Sequence, residues 1–220
     1  MWWRGGDDGG GGSPSEPVST VLTDAQVVAY VKSSNIDYVP NGNGRPAGTW
    51  RWSNTPSQPV VVYIPTPTNA TEQDYAAKVN TAISTYNTKL SSYLVLEATS
   101  TLPTTGNYIQ VSYGTAWIPP GGTDYNSYCA NISSVIASSS SVVPNNQNNI
   151  VSPVYLNLGN GKCNLTQDIA THEFAHALGL GYHFYVFGSN KADNFWDVLA
   201  TLYGNPVSTT AENLLVRRAR

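Results

Sequence analysis

The sequence predicts an α+β fold with a small, twisted, mixed sheet. One run, Val60-Val61-Val62-Tyr63-Ile64, is short, β-branched and continuously apolar, as in a buried strand. Behind it Ala76, Val79, Ile83, Tyr86, Leu90 and Leu94 recur at steps of three and four, the stripe of a long amphipathic helix. Further strand patterns follow, then a short helix, a glycine-rich turn and a closing helix.

Each element has its own signal. Thr23 can cap a short helix over 24–31, with Val27, Val28 and Val31 apolar. Pro40-Asn41-Gly42-Asn43-Gly44 is a turn cluster. For the long helix Thr71 is the expected N-cap, with Asp74 three residues on. Leu94-Val95-Leu96-Glu97 reads as the second strand, and Tyr108-Ile109-Gln110-Val111-Ser112-Tyr113 as the third. Residues 114–149 are irregular, rich in Pro, Gly, Ser and Asn. Val154-Tyr155-Leu156-Asn157-Leu158 is the fourth strand, and Asn164 with Gln167 can cap the helix after it. A last helix is expected over 193–202, ending at Tyr203-Gly204-Asn205-Pro206.

The domain plan is a flexible Gly/Ser/Pro linker at 1–20, one catalytic-type domain at 21–206 and a C-terminal tail at 207–220 expected to fray. Charged residues make up 11% and net charge is −3, with no basic stripe, which argues against a nucleic-acid partner. No apolar run is long enough to span a membrane, and no apolar h-region follows Met1-Trp2-Trp3-Arg4, so no export signal is visible. The two cysteines, Cys129 and Cys163, fit one disulfide in an oxidising compartment. The expectation is a monomer, secreted or at a bacterial cell surface.

Chemistry concentrates in Thr171-His172-Glu173-Phe174-Ala175-His176-Ala177-Leu178-Gly179-Leu180-Gly181-Tyr182-His183, which holds all three histidines of the chain. In a helix His172 and His176 lie one turn apart on one face and can present two imidazoles to one Zn2+. Glu173 lies beside them, placed to handle a proton of water at the metal. A chance His-Glu-x-x-His in a chain this long has odds of roughly one in a hundred or less. Ala170, Phe174, Ala177 and Leu178 form a packing face away from the histidines, and Gly179 can end the helix with a sharp turn. Catalytic zinc takes three protein ligands, so a third is required. His183 is the remaining histidine. Tyr182 is the alternative, as a phenolate ligand or a hydrogen-bonding group at the transition state. Asp193, Asp197 and Glu212 are weaker candidates.

The stretch from His172 to Gly181 resembles the zinc-binding segment of metzincin metallopeptidases, the matrixin branch especially, whose pattern is His-Glu-x-x-His-x-x-Gly-x-x-His. The likeness extends to the order of strands and helices over about residues 45–206. It implies a zinc-dependent endopeptidase with Glu173 as general base and a peptide or protein substrate pairing along a sheet edge, expected at 150–158. Three departures stand out. The family's third histidine position is Tyr182 here, with His183 one residue further. The only methionine is Met1, so the family's methionine turn beneath the metal is either absent or rebuilt, the segment for a rebuilt one being 187–196. No cysteine-switch propeptide or further histidines for a structural zinc are present. Two other classes remain open, a non-catalytic binding module with a degenerate site and a zinc amidase.

Overall fold

The structure, a computed structural model, describes residues 21–39, 44–151, 153–185, 187 and 193–219. The linker at 1–20, most of the turn cluster at 40–44 and much of 186–192 lie outside the described residues. Among the described residues the chain is α+β, with four α-helices and a five-stranded mixed sheet.

Helix α1 (Asp24–Val31) starts with the expected cap: Thr23 Oγ1 accepts from the Gln26 amide, and the Gln26 side chain accepts from the Thr23 amide in return. It runs on into a π-helical turn, Lys32–Ile36. Strand β1 (Val60–Tyr63) leads to α2 (Ala70–Leu90), which starts earlier than Thr71 would place it. Asn69 is the cap, its side chain accepting from the Glu72 amide at 3.0 Å, while the Glu72 carboxylate accepts from the Thr68 amide. That pair satisfies the free amides two residues sooner, so Thr71 falls inside the first turn. The predicted stripe of α2 is buried, with Tyr75 and Ala82 added to it.

Strand β2 (Leu96–Thr99) begins two residues later than expected. The chain first closes a turn on the end of α2, with Tyr93 and Leu94 amides donating to Leu90 O, and the side-chain amide of Asn87 then brackets both backbone groups of Leu96. Strand β3 (Tyr108–Tyr113) falls where predicted. Strand β4 (Ala130–Ser133) lies inside the stretch read as irregular. Strand β5 (Val154–Leu158), α3 (Gln167–Ala177) and α4 (Asp193–Tyr203) complete the set.

The strand order is β2-β1-β3-β5-β4, parallel except for β4, which runs antiparallel to β5. This corrects the expected substrate edge. β5 is hydrogen-bonded on both sides and cannot accept another strand; the edges are β2 and, beside β5, β4. Helices α2 and α3 pack side by side against the sheet, and α4 packs on α1 and α2. The Cys129–Cys163 disulfide joins the residue before β4 to the approach to α3. No helix among the described residues is long and apolar enough to cross a membrane.

The tail does not fray. Thr201 Oγ1 donates to Arg217 O and accepts from the Arg217 amide, Asn205 pairs with both backbone groups of Leu215, and Leu214 is buried. Arg218 bridges Asp197 of α4 and Asp24 of α1. These contacts left no local signal in the sequence, because they depend on α4 and α1 being in place.

Candidate metal centre

Helix α3 is fixed from its buried face. Thr166, not Asn164, caps it, with Thr166 Oγ1 accepting from the Ile169 amide at 3.2 Å; the buried Leu165 places Thr166 at the helix start. Phe174 is fully buried against Tyr86 of α2, whose hydroxyl donates to Thr171 O at 2.9 Å. The last carbonyls of a helix lack partners within it. Here Trp52 Nε1 donates to Ala177 O and the Tyr203 hydroxyl to Leu178 O, both at 2.9 Å. The remaining two are met by the turn: Gly179 N donates to His176 O and Leu180 N to Ala175 O, the paired bonds of a Schellman motif. Gly179 has φ +102°, the left-handed conformation that motif needs.

The turn is clamped from α1 and its π-helical extension. The buried Asn35 donates from Nδ2 to Gly179 O and to Trp50 O, each at 2.7 Å, and accepts from the Trp50 amide at 3.0 Å. Ser34 O accepts from the Gly181 and Tyr182 amides. Gly181 lies flat against the Tyr38 ring; a Cβ there would come within 2.2 Å of Tyr38 Cγ. Tyr182 then packs edge-on against Tyr38, with ring centres 4.8 Å apart. The next residue, His183, is carried back over α3.

The result is a cluster of three imidazoles. His176 Nε2 lies 3.1 Å from His172 Nε2 and 3.1 Å from His183 Nε2, and one ligand atom from each residue lies within 4.8 Å of the others. Nitrogens bound to one tetrahedral zinc at about 2.0–2.1 Å would be roughly 3.3 Å apart. His176 Nδ1 is 2.5 Å from Leu180 O. A carbonyl only accepts, so Nδ1 carries the proton and the Nε2 lone pair faces the other two rings, the tautomer a metal ligand requires. These three residues could hold a metal ion.

No protein-family model, curated protein or solved structure matches the chain.

Burial sets the electrostatics. It lowers His172 to about 2, reinforced by its neighbours His176 and His183, and His176 to about 3; His183 is lowered for the same reason. All three are neutral near pH 7 and can donate lone pairs without first losing protons. Glu173, 9% exposed, is pushed up to about 8 by burial. Among the described residues no hydrogen-bond donor meets its carboxyl. Three convergent neutral imidazoles are a donor set suited to a divalent cation, and a cation held there, one residue from Glu173 on the same helix, would favour the ionised form of that carboxyl.

Of the other candidates, Asp197 is taken by Arg218 and by the Ala219 amide, and Glu212 sits in an exposed 3-10 turn (Ala211–Asn213) bonded to Thr210. The side chain of Asp193 lies outside the described residues. Sequence reading missed Asn35 and the clamp it makes, because a lone asparagine after an ordinary helix carries no signal. It also missed Phe187, whose ring centre lies 4.8 Å from each of the three imidazole ring centres. Phe187 is the first residue of the segment where a rebuilt turn was expected.

Proposed function

We propose that the protein is a zinc-dependent endopeptidase of metzincin type. The observation that carries this reading is the meeting of three neutral imidazoles, from His172, His176 and His183, with Glu173 next to His172 on the helix that bears two of them. A site that only held metal for structural reasons would have no use for that carboxyl. Zinc, when bound, supplies Lewis acidity toward a carbonyl oxygen and a lowered pKa for water. Glu173 takes the proton of the attacking water and delivers it to the leaving amine. The convergence of His183 favours it over Tyr182 as third ligand, and Tyr182 then serves as wall packing on Tyr38.

The substrate is an extended peptide. β4 is the sheet edge next to α3, tied to it by the Cys129–Cys163 disulfide, and its free side can take a strand by addition. The disulfide also supports an extracytoplasmic location.

Metal analysis of purified protein, paired with casein turnover, tests the reading. About one zinc per chain and turnover abolished by a chelator are expected. A chain without zinc would turn the assignment toward the non-catalytic binding module. A zinc-loaded chain inert on casein but active on cell-wall peptide amides would turn it toward the amidase.

A further inference from the structure

Phe187 occupies a position no sequence motif assigns. Its ring is equidistant from three imidazoles, stacked on His176 (28° between planes), tilted against His183 (41°) and edge-on to His172 (69°). Behind it the ring meets Phe184 at 5.2 Å and Phe195 at 5.6 Å. Both are anchored. Phe184 stacks on Tyr30 of α1 at 4.7 Å, and Phe195 is fully buried against Trp196 and Tyr86. Phe187 is therefore wedged between the histidines and the core.

The imidazoles need such a support unequally. His176 is oriented by its bond to Leu180 O. His172 has no hydrogen bond at Nδ1 among the described residues, so the usual partner that fixes a ligand ring is missing there. Ring packing is what remains to set its angle. A flat ring touching all three imidazoles at once limits the rotation of each and keeps water from that side of the cluster.

We propose that Phe187 is the positioning residue of the metal centre, an aromatic floor that does by ring packing what a hydrogen-bonded carboxylate or carbonyl does for metal-binding histidines elsewhere. This rests on the three histidines being metal ligands. It makes Phe187 a determinant of metal affinity and coordination geometry that never touches substrate.

The test is metal binding to the full chain, read without reference to turnover. Zn2+ affinity is measured by competition with a chromophoric chelator, and the Co2+ form by its visible spectrum. Phe187→Ala should weaken Zn2+ binding about 10–100-fold, the range for lost support of ligand histidines, and should change the Co2+ bands. Phe187→Tyr, which keeps the ring, should restore both. The thermal midpoint of the metal-free protein separates a lost floor from general unfolding. Should Phe187→Ala fail to fold, Phe187→Leu, which keeps bulk without a flat face, should still bind Zn2+ more weakly than the parent. Parent-like affinity and Co2+ spectrum in the folded Ala or Leu variant would overturn the proposal, as would a Tyr variant as impaired as Ala. A parent chain that binds neither metal would instead sink the metal-centre reading, and the floor with it.

Discussion

Burial holds the Glu173 carboxyl in its protonated form, and a cation bound nearby would favour the ionised one. Below about pH 8 the carboxyl is protonated in the metal-free protein, and a divalent cation near it lowers that value. Metal binding at pH 6.5 should therefore release close to one proton, with release fading and affinity levelling as pH passes 8. Calorimetric titration in buffers of different ionisation enthalpy counts that proton; no release at pH 6.5 would contradict the placement of Glu173. The histidines act on stability in the opposite direction from the carboxyl. His172 and His176 hold folded values of about 2 and 3 against 6.5 when free. The unfolded chain binds more protons in that window, so their contribution is intact above 6.5 and is lost as pH falls toward 3. Glu173, raised from 4.5 to about 8, contributes fully below 4.5 and loses that contribution as pH rises through 8. The denaturation midpoint of metal-free protein against pH reads both limbs.

Asn35 is the other residue on which the site depends. Asn35→Ala would strand Gly179 O and both backbone groups of Trp50 in the core. Unmet buried groups cost about 1–3 kcal/mol each, eased by any water that enters, so a loss of about 3 kcal/mol in urea unfolding is expected, with weaker metal binding as His183 loses its fixed approach. A loss under about 0.5 kcal/mol, the range of an ordinary surface change, would mean the clamp is not needed.

Among the elements, legibility followed the locality of the cause. The buried stripe of α2 and the run Val60-Val61-Val62-Tyr63-Ile64 are local patterns, and both elements appeared. The one-turn spacing of His172 and His176 is likewise a property of any helix. β4 is four residues, Ala130-Asn131-Ile132-Ser133, an apolar-polar alternation too short to stand out from the Ser- and Asn-rich stretch around it; it is a strand because β5 offers it an edge. The caps of α2 and α3 fell at Asn69 and Thr166 because several cap-forming residues cluster at each start and packing chose between them. The third ligand stayed open between His183 and Tyr182 because the choice depends on Ser34, Asn35 and Tyr38, about 145 positions away in the chain. The disulfide that ties β4 to α3 closes a loop with a sequence separation of 34. In the chain-entropy account replacing both Cys129 and Cys163 by Ala should cost about 3–4 kcal/mol, measured by chemical denaturation. An unchanged midpoint would mean that the approach to α3 is held without it.

For the molecule as a whole, the C-terminal segment closes the fold around α1 and α4. Arg218 is partly exposed, so its pairs with Asp197 and Asp24 contribute only about 1 kcal/mol together; burial of Leu214 adds more. Truncation after residue 213 should lower stability by about 3 kcal/mol. The candidate metal site, assembled on α3 and the turn from Gly179, should keep any metal affinity of the parent in the truncated chain at temperatures where that chain is folded. Loss of metal binding by a folded truncation would show that the tail reaches the site.

The central claim is that Glu173 moves a proton at a metal held by three histidines. Glu173→Gln keeps the shape of the side chain and removes the base. The decisive measurement is peptide turnover and zinc content on the same preparation of this variant. The prediction is about one zinc per chain with hydrolysis reduced at least ~100-fold, the lower range for a lost general base. Zinc retained together with turnover near that of the parent chain would contradict it.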